Sequence, residues 1–562
     1  MKTNSGKTSG VAPVFIILIA VLWISGCSKE SKPNIVLILA DDMGYSDIGC
    51  MGSEIKTPNI DGLANEGVLF LNFYNGARCC PTRASLMTGL YAHQTGMGGM
   101  EPDRGLPGYR GNINNNCVTL AEALKHNGYS TYMSGKWHLT NITKTDKEEE
   151  KYNWPVQRGF DRFYGTIAGA GNFFMPATLT RQNTNIEQEA KDNPGYYYTD
   201  AISENAVKFI SEHKTNNKKD PFFMYVAYTA PHWPLHAPEE DIEKYRGVYS
   251  LGWDSIRQSR YDRMKEMGII NPSWGMAPRD ERVPAWGEID PDDLPEQVRL
   301  SVDNADELRM LMAEKMAVYA AMIDRMDRGI GEIVAALEDQ KCLDNTLIVF
   351  LSDNGGCDEW GTYGFGWNNY RNTGIIAGNK ESNSSYGPAW AHVSNTPFRL
   401  YKLYTYEGGT STPMIMHWPE KIKSRGSINR QVSHIIDIMP TFLNAANGTY
   451  PTEYKGNEII PPEGHSLLPV LAGDSLDQRT LYWEHIGGRA VMKGKWKLTG
   501  MRGAGPWELF DIEKDRTEQN DLSDQYPQVF GELKKDWEEW AERTNALPWP
   551  YKDYETISSE KE

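Results

Sequence analysis

The chain has 562 residues, 40% apolar and 11% aromatic, which fills a large core and excludes a disordered or low-complexity protein. At roughly 150 residues per domain it allows about three domains, or two if one is a large α/β fold. Its 58 basic residues against 75 acidic ones leave −17, which excludes nucleic acid as a general partner because phosphate binding needs a basic face, but not a small anion in a local positive pocket.

Residues 1–26 read as an export segment. Lys2 and Lys7 precede an apolar run, Val14–Ile24, that is too short to span a membrane comfortably. Ile24-Ser25-Gly26-Cys27 follows and resembles a bacterial lipobox, whose cysteine is acylated and becomes the first mature residue. The expected product is exported and anchored at the bacterial cell envelope, in the periplasm or at the outer membrane. Lipid on Cys27 makes the membrane contact, and residues 27–32 form the tether. Losing two lysines and no acids takes the charge from −17 to −19.

Asn34–Ala40 is a continuous apolar, β-rich run, as expected of a strand covered on both faces of a mainly parallel sheet. Further strands are expected at Gly67–Phe73, Ser130–Met133, Phe222–Ala227, Thr346–Leu351 and Pro413–His417. Helical periodicity occupies Val118–Lys125, Ala201–His213, Leu308–Leu337 and Ile435–Ala446. The alternation predicts an α/β fold, with a large central mixed, mostly parallel sheet flanked by helices. Two long stretches, Glu239–Asp303 and Trp360–Asn395, break it and are rich in aromatics. Both are expected to wall a binding cleft. From about Leu467 short strands and a polar helix around Phe530–Arg543 predict a smaller C-terminal α+β domain, residues 467–562, after a main domain of residues 33–466.

Two acidic pairs sit where strands end. Asp41-Asp42 follows the first strand, and Asp353-Asn354 follows Thr346–Leu351. In open parallel sheets ligands bind outside the carboxyl ends of strands, and oxygen-only donors suit a hard cation, Ca²⁺ or Mg²⁺. Each pair alone is weak evidence, since Asp before Gly is also an ordinary turn. Arg78-Cys79-Cys80-Pro81-Thr82-Arg83 has a proline suited to a first helical turn, so a group at Cys79 faces the positive end of the helix dipole. A buried thiol beside an ordinary helix start fits those residues equally well. Cys50, Cys117, Cys342 and Cys357 show no metal-ligand spacing, and sequence cannot decide whether they pair.

The run from Cys79 to Gly89 matches C-x-P-[ST]-R-x4-T-G, and on it the chain resembles the type I, formylglycine-dependent sulfatases. The resemblance extends in order through PNIVLILADDMG at 33–44, GKWHL at 135–139, APHWPLHAP at 230–238, SDNGG at 352–356 and EGG at 407–409. SNTPFRLYK at 394–402 and WELFDIEKDRTE at 507–518 are similar to bacterial arylsulfatase-like members. The resemblance implies an alkaline-phosphatase-like fold and hydrolysis of sulfate monoesters of aryl or glycan substrates. It implies conversion of Cys79 to Cα-formylglycine, whose hydrated gem-diol attacks sulfur and passes through a covalent sulfo-enzyme. A formylglycine-generating or anaerobic sulfatase-maturating enzyme is the implied partner for that conversion.

Carried over residue by residue, Asp41, Asp42, Asp353, Asn354 and the modified Cys79 bind the metal, usually Ca²⁺. Arg83 holds the hydrated aldehyde. Lys136, His138, His232 and Lys402 complete the sulfate pocket, with His232 as acid and His138 as base. Counting Ca²⁺, Arg83, Lys136 and Lys402 against Asp41, Asp42 and Asp353 gives a local charge of +2. Many relatives read EGG-x-R-V-P where this chain has Glu407-Gly-Gly-Thr-Ser411-Thr-Pro413, which puts a scaffold contact in doubt. A phosphonate or phosphate monoester hydrolase, and a catalytically silent surface glycan-binding protein with an unconverted Cys79, stand as alternatives.

Overall fold

The computed structural model describes residues 1–8, 10, 31–216, 219–294, 299, 302–365, 377–503 and 505–550. Residues 1–31 form one unit, whose described part has no regular secondary structure. The lipobox-like segment Ile24–Cys27 lies outside the described residues. Residues 32–562 form the second unit.

Its centre is a mixed sheet built in chain order from β1 (Asn34–Ala40), β2 (Val68–Tyr74), β3 (Ser130–Gly135), β4 (Arg162–Thr166), β5 (Leu179–Arg181), β6 (Thr184–Asn185), β7 (Phe222–Ala227), β8 (Thr346–Ser352), β9 (Ser411–His417), β10 (Ser427–Asn429) and β11 (Ser433–His434). Across the sheet the order is β10-β2-β9-β8-β1-β7-β3-β4-β5-β6, with β11 also on β2. The middle run β8-β1-β7-β3 is parallel throughout. β9 is antiparallel to both β8 and β2. β2 therefore runs with the parallel set, and β9 begins at the edge where the others end.

Alternation within β1 shows why its sequence is apolar without a break. Val36, Ile38 and Ala40 join a core with the helices Tyr198–Asn216 and Ala305–Asp339. Ile35, Leu37 and Leu39 join another with the helices Cys79–Thr88, Leu120–His126 and Ile438–Ala445. Successive side chains point to opposite faces, so a strand covered twice has no polar position to spare. All the strands and helices expected from sequence are present, with ends displaced by at most three residues. β4, β5 and β6 were not anticipated; they are two to five residues long and both residues of β6 are exposed.

A second, antiparallel sheet follows in simple order: β12 and β13 (Glu453–Tyr454, Asn457–Glu458) form a separate small hairpin, and β14 (Thr480–His485), β15 (Gly488–Lys493), β16 (Trp496–Gly500) and β17 (Trp507–Asp511) form the sheet. The Pro527–Arg543 helix covers it through Leu533, Trp537 and Trp540. Trp483 of β14 donates from Nε1 to the Asn75 carbonyl at 2.7 Å, tying this sheet to the loop after β2.

Candidate active site

The topology delivers chemistry to one edge. β1 runs into Asp41-Asp42, β8 into Asp353-Asn354, β3 into Lys136, and β7 leads through four residues to His232. β2 leads to the helix that starts at Cys79, and the loop before β9 carries Lys402. Every one of these side chains is at most 4% exposed.

Lys402 reaches the edge because two glycine motifs interlock. A Cβ on Gly355 would lie 1.8 Å from the Gly408 carbonyl oxygen, and one on Gly408 would lie 2.1 Å from that of Leu400. The Asp353-Asn354-Gly-Gly turn and the Glu407-Gly-Gly turn thus pack backbone on backbone. The 399–404 loop is held over both, and Lys402 N–H donates to the Gly356 carbonyl at 3.1 Å.

The acids form a shared cluster. Asp41 Oδ2 accepts from Lys136 Nζ at 2.6 Å, and Asp42 Oδ2 accepts from Lys402 Nζ at 2.9 Å. Asp353 Oδ2 accepts from Arg83 Nε and Nη2 at 3.1 and 2.9 Å, while its Oδ1 accepts from the Asp42 N–H at 3.1 Å. Asn354 Nδ2 donates to Asp42 Oδ1 at 2.6 Å. Burial raises the Asp41 pKa, but Lys136 and Arg83 outweigh it and bring it to about 2. Burial and the neighbouring Asp41 push Asp353 well above the carboxylate range.

Two oxygens in this cluster, Asp41 Oδ1 and Asn354 Oδ1, are buried without a hydrogen-bond partner. Buried polar atoms in folded proteins are normally satisfied. Two unsatisfied oxygens beside three crowded carboxylates, with Asp41 and Asp42 ligand atoms within 4.8 Å of each other, fit a hard divalent cation.

Cys79 is the first residue of its helix, and it is 2% exposed. The hydrogen bond with Cys80, working against burial and reinforced by Lys136, His138 and Lys402, holds its thiol well below the usual value. A thiol is a soft donor, so Cys79 suits the hard-cation site only in an oxidised, oxygen-bearing form. Cys80 is fully buried in apolar core. All six described cysteines are unpaired.

The two histidines are oriented by their outer nitrogens. His232 Nδ1 donates to the Trp233 carbonyl at 2.5 Å, which turns Nε2 toward Lys402 Nζ and Asp42 Oδ2, each 3.4 Å away. His138 Nε2 bonds Glu101 Oε1 at 2.5 Å, and its buried Nδ1 has no hydrogen-bond partner. Burial lowers the His138 pKa, but Glu101 and Cys79 raise it above the ordinary imidazole value.

These groups open onto a cavity of about 290 Å³ lined by Arg78, Cys79, Met100, Glu101, His138, Gly169, Ala170, His232, Trp233, Glu359, Trp360 and Lys402. Sequence reasoning brought together Cys79, His138, His232 and Lys402 here, with Arg83, Lys136 and the metal cluster behind them. It missed Arg78, Glu101 and Glu359. Only Arg78 had a sequence cue, as the residue before the Cys79 helix.

Two expectations are corrected. Among the described residues, none of the cavity lining comes from Glu239–Asp303. Its Trp253 and Trp286 pack edge-to-face on each other and on Trp390 of the second stretch, with centroids 4.6 to 6.2 Å apart. That cluster fills a core rather than walling a cleft; of the second stretch, Trp360 lines the cavity, and residues 366–376 lie outside the described residues. The local charge of +2 also fails. Arg78, Arg83, Lys136 and Lys402 face five carboxylates once Glu101 and Glu359 are included, so a divalent cation brings the site to +1 with both histidines neutral.

Comparison with known proteins agrees with this geometry. The family model described as Sulfatase matches residues 33–449, and that of the N-sulphoglucosamine sulphohydrolase C-terminal region matches 398–543. The chain is 33% identical to an uncharacterised sulfatase of Schizosaccharomyces pombe, over 93% of this chain and 96% of that one. It is 32% identical to an arylsulfatase of Klebsiella aerogenes, over 79% and 93%. Among solved structures, Ps i-CgsB in complex with k-i-k-neocarrahexaose is similar at a TM-score of 0.65 and 27% identity, covering 94% and 96%.

Proposed function

The chain belongs to the sulfatase family and is a sulfuric ester hydrolase, and from that premise we propose that it removes sulfate from a sulfated saccharide. In this reading Cys79 acts as formylglycine, and Ca²⁺ is held by Asp41, Asp42, Asp353 and Asn354. The observation that carries it is the placement of Cys79 at a helix start, on the cavity, with Lys136 and Lys402 bonded to the acids just behind it.

A divalent cation held by Asp41, Asp42, Asp353 and Asn354 would supply Lewis acidity to the reaction, and the hydrated aldehyde form of residue 79 would supply the attacking oxygen. The chain's own groups do the rest. Lys402, on the cavity wall, binds the anionic oxygens, and Lys136, bonded to Asp41 just behind it, adds fixed positive charge there. Arg83, fixed by Asp353 and the Lys136 carbonyl at 3.3 Å, orients residue 79. His232 presents Nε2 to the departing alcohol and passes a proton to it when the ring is in its imidazolium form, with Lys402 beside it. His138 Nδ1 faces Cys79 and takes a proton there, its ring fixed by Glu101 on the far side.

The same reading assigns residues 1–32 to export and lipid anchoring through Cys27, and the conversion of Cys79 to a maturating enzyme of the cell. The supporting feature is the Ile24–Cys27 sequence. Peptide mass spectrometry over residues 79–83 of protein from the native host, with parallel turnover of sulfate, phosphate and phosphonate esters, tests the whole. An aldehyde at residue 79 and a preference for sulfate esters are expected. An intact thiol in fully active protein, or faster phosphonate cleavage, would sink it.

The His138 ring position gives a sharper expectation. A Cβ on Gly169 would meet ring atoms at 2.0 to 2.4 Å, and Glu101 bars retreat. Gly169→Ala is expected to lower kcat by about 10²-fold, the size of effect a displacement of about 1 Å produces, with little change in thermal midpoint. Unchanged kcat would show that His138 needs no fixed position.

A further inference from the structure

Beside the sulfate pocket the cavity wall carries a pair of opposite charges that no step above uses. Arg78 is 6% exposed, lines the cavity, and its Nε–H is buried without a partner. Its nearest carboxylate, Glu359 Oε1, is 3.7 Å from Nη2, too long for a good hydrogen bond. Glu359 is braced by Trp233, whose Nε1–H donates to Oε2, and Trp233 meets Trp360 edge-to-face at 5.0 Å. The wall thus offers a donor fork, an acceptor and two indole rings side by side. An ion pair held this far apart keeps hydrogen-bonding capacity on both partners.

We infer that Arg78 and Glu359 together bind a pair of neighbouring hydroxyls on the sugar that carries the scissile sulfate, with Trp233 and Trp360 covering the ring. The guanidinium donates to one hydroxyl oxygen and the carboxylate accepts from the other hydroxyl. The inference rests on the hydrolase reading and narrows its substrate class from sulfated saccharides in general to a monosulfated sugar with two free neighbouring hydroxyls. Aryl sulfates fill the same space but give the pair nothing to bond, and leaving it unmet while excluding water is costly. A second anionic substituent at that position would face Glu359, and Glu101 stands on the same cavity.

The test compares kcat/KM on 4-nitrophenyl sulfate with that on a panel of monosulfated hexoses, for the full mature enzyme, Arg78→Gln and Glu359→Gln. Rates are normalised to the converted fraction of residue 79, because Arg78 adjoins it. Each variant is expected to lower the sugar-to-aryl ratio at least about tenfold, the worth of one hydrogen bond to a charged group. Equal losses on both substrates overturn the inference. So does a wild-type enzyme that turns over the aryl ester and none of the sugars, an outcome that leaves the hydrolase reading standing. Fully converted enzyme inactive on every sulfate ester overturns both.

Discussion

Cys79→Ala is expected to lower sulfate release by at least about 10⁴-fold while leaving the fold intact. Removing a nucleophile that acts as part of a unit typically costs this much or more, and binding and electrostatics alone sustain the residue. The structural reasons are local. Cys79 touches the cavity from the first position of its helix, and Lys136, His138 and Lys402 all act on its Sγ. Alanine keeps the helix and loses only the oxygens of the hydrated aldehyde from a site beside polar groups, so the thermal midpoint should move by a few degrees at most. The measurement is initial rate on a sulfate ester, together with a melting curve. Activity above about 1% of wild type would mean that another group, such as Thr82, attacks. The position of Thr82 speaks against that: its Oγ1 accepts from the Gly76 N–H at 2.8 Å and it is wholly buried.

Which parts of this site can be read in the chain follows from how each residue gets there. Asp41 and Asp353 sit immediately after strands, so a strand pattern and an acid at its end announce them, whereas Lys136, though it also follows a strand, was legible only through the GKWHL motif. His232 and Lys402 arrive on loops and were legible only through the APHWP and EGG motifs. Glu101 lies 37 residues before the histidine it bonds, and Glu359 comes 126 residues after Trp233, its donor. No local pattern encodes either pairing. The Glu239–Asp303 stretch shows the opposite failure. Tryptophans that stack on one another in a core and tryptophans that line a cleft have the same composition, and only the packing of Trp253, Trp286 and Trp390 separates them.

Ser411 shows how a change in one motif is met elsewhere in the chain. Arg516, 105 residues downstream, places its Nη2 2.7 Å from Ser411 Oγ and its Nε 2.8 Å from Glu407 Oε2. Glu407 Oε1 accepts from Lys497 Nζ at 2.8 Å, and Lys497 also pairs with Glu518 at 2.9 Å. Two acids and two bases, none with more than 4% of its side chain exposed, thus join β16 and the loop after β17 to the turn that positions Lys402. Burial raises the Glu407 pKa, but Lys497 and Arg516 override it and hold Glu407 below the usual carboxylate range. Burial, with Glu407 alongside and against the pull of Lys497, pushes Glu518 up to about 7. Glu407→Gln leaves Lys497 one carboxylate and Arg516 none, in a region where a cation without its partner is destabilising by about 3–5 kcal/mol. Urea unfolding should show a loss of that size, with kcat falling as well because the Gly408-Gly409 turn loosens under Lys402. Combining Glu407→Gln with Arg516→Met removes the stranded charge and should recover a large part of the stability. A double variant no more stable than Glu407→Gln alone would mean that Arg516 is held by the Leu71 carbonyl and Asn72 at 3.1 and 2.8 Å rather than by Glu407. The motif's missing arginine would then have no replacement in this chain.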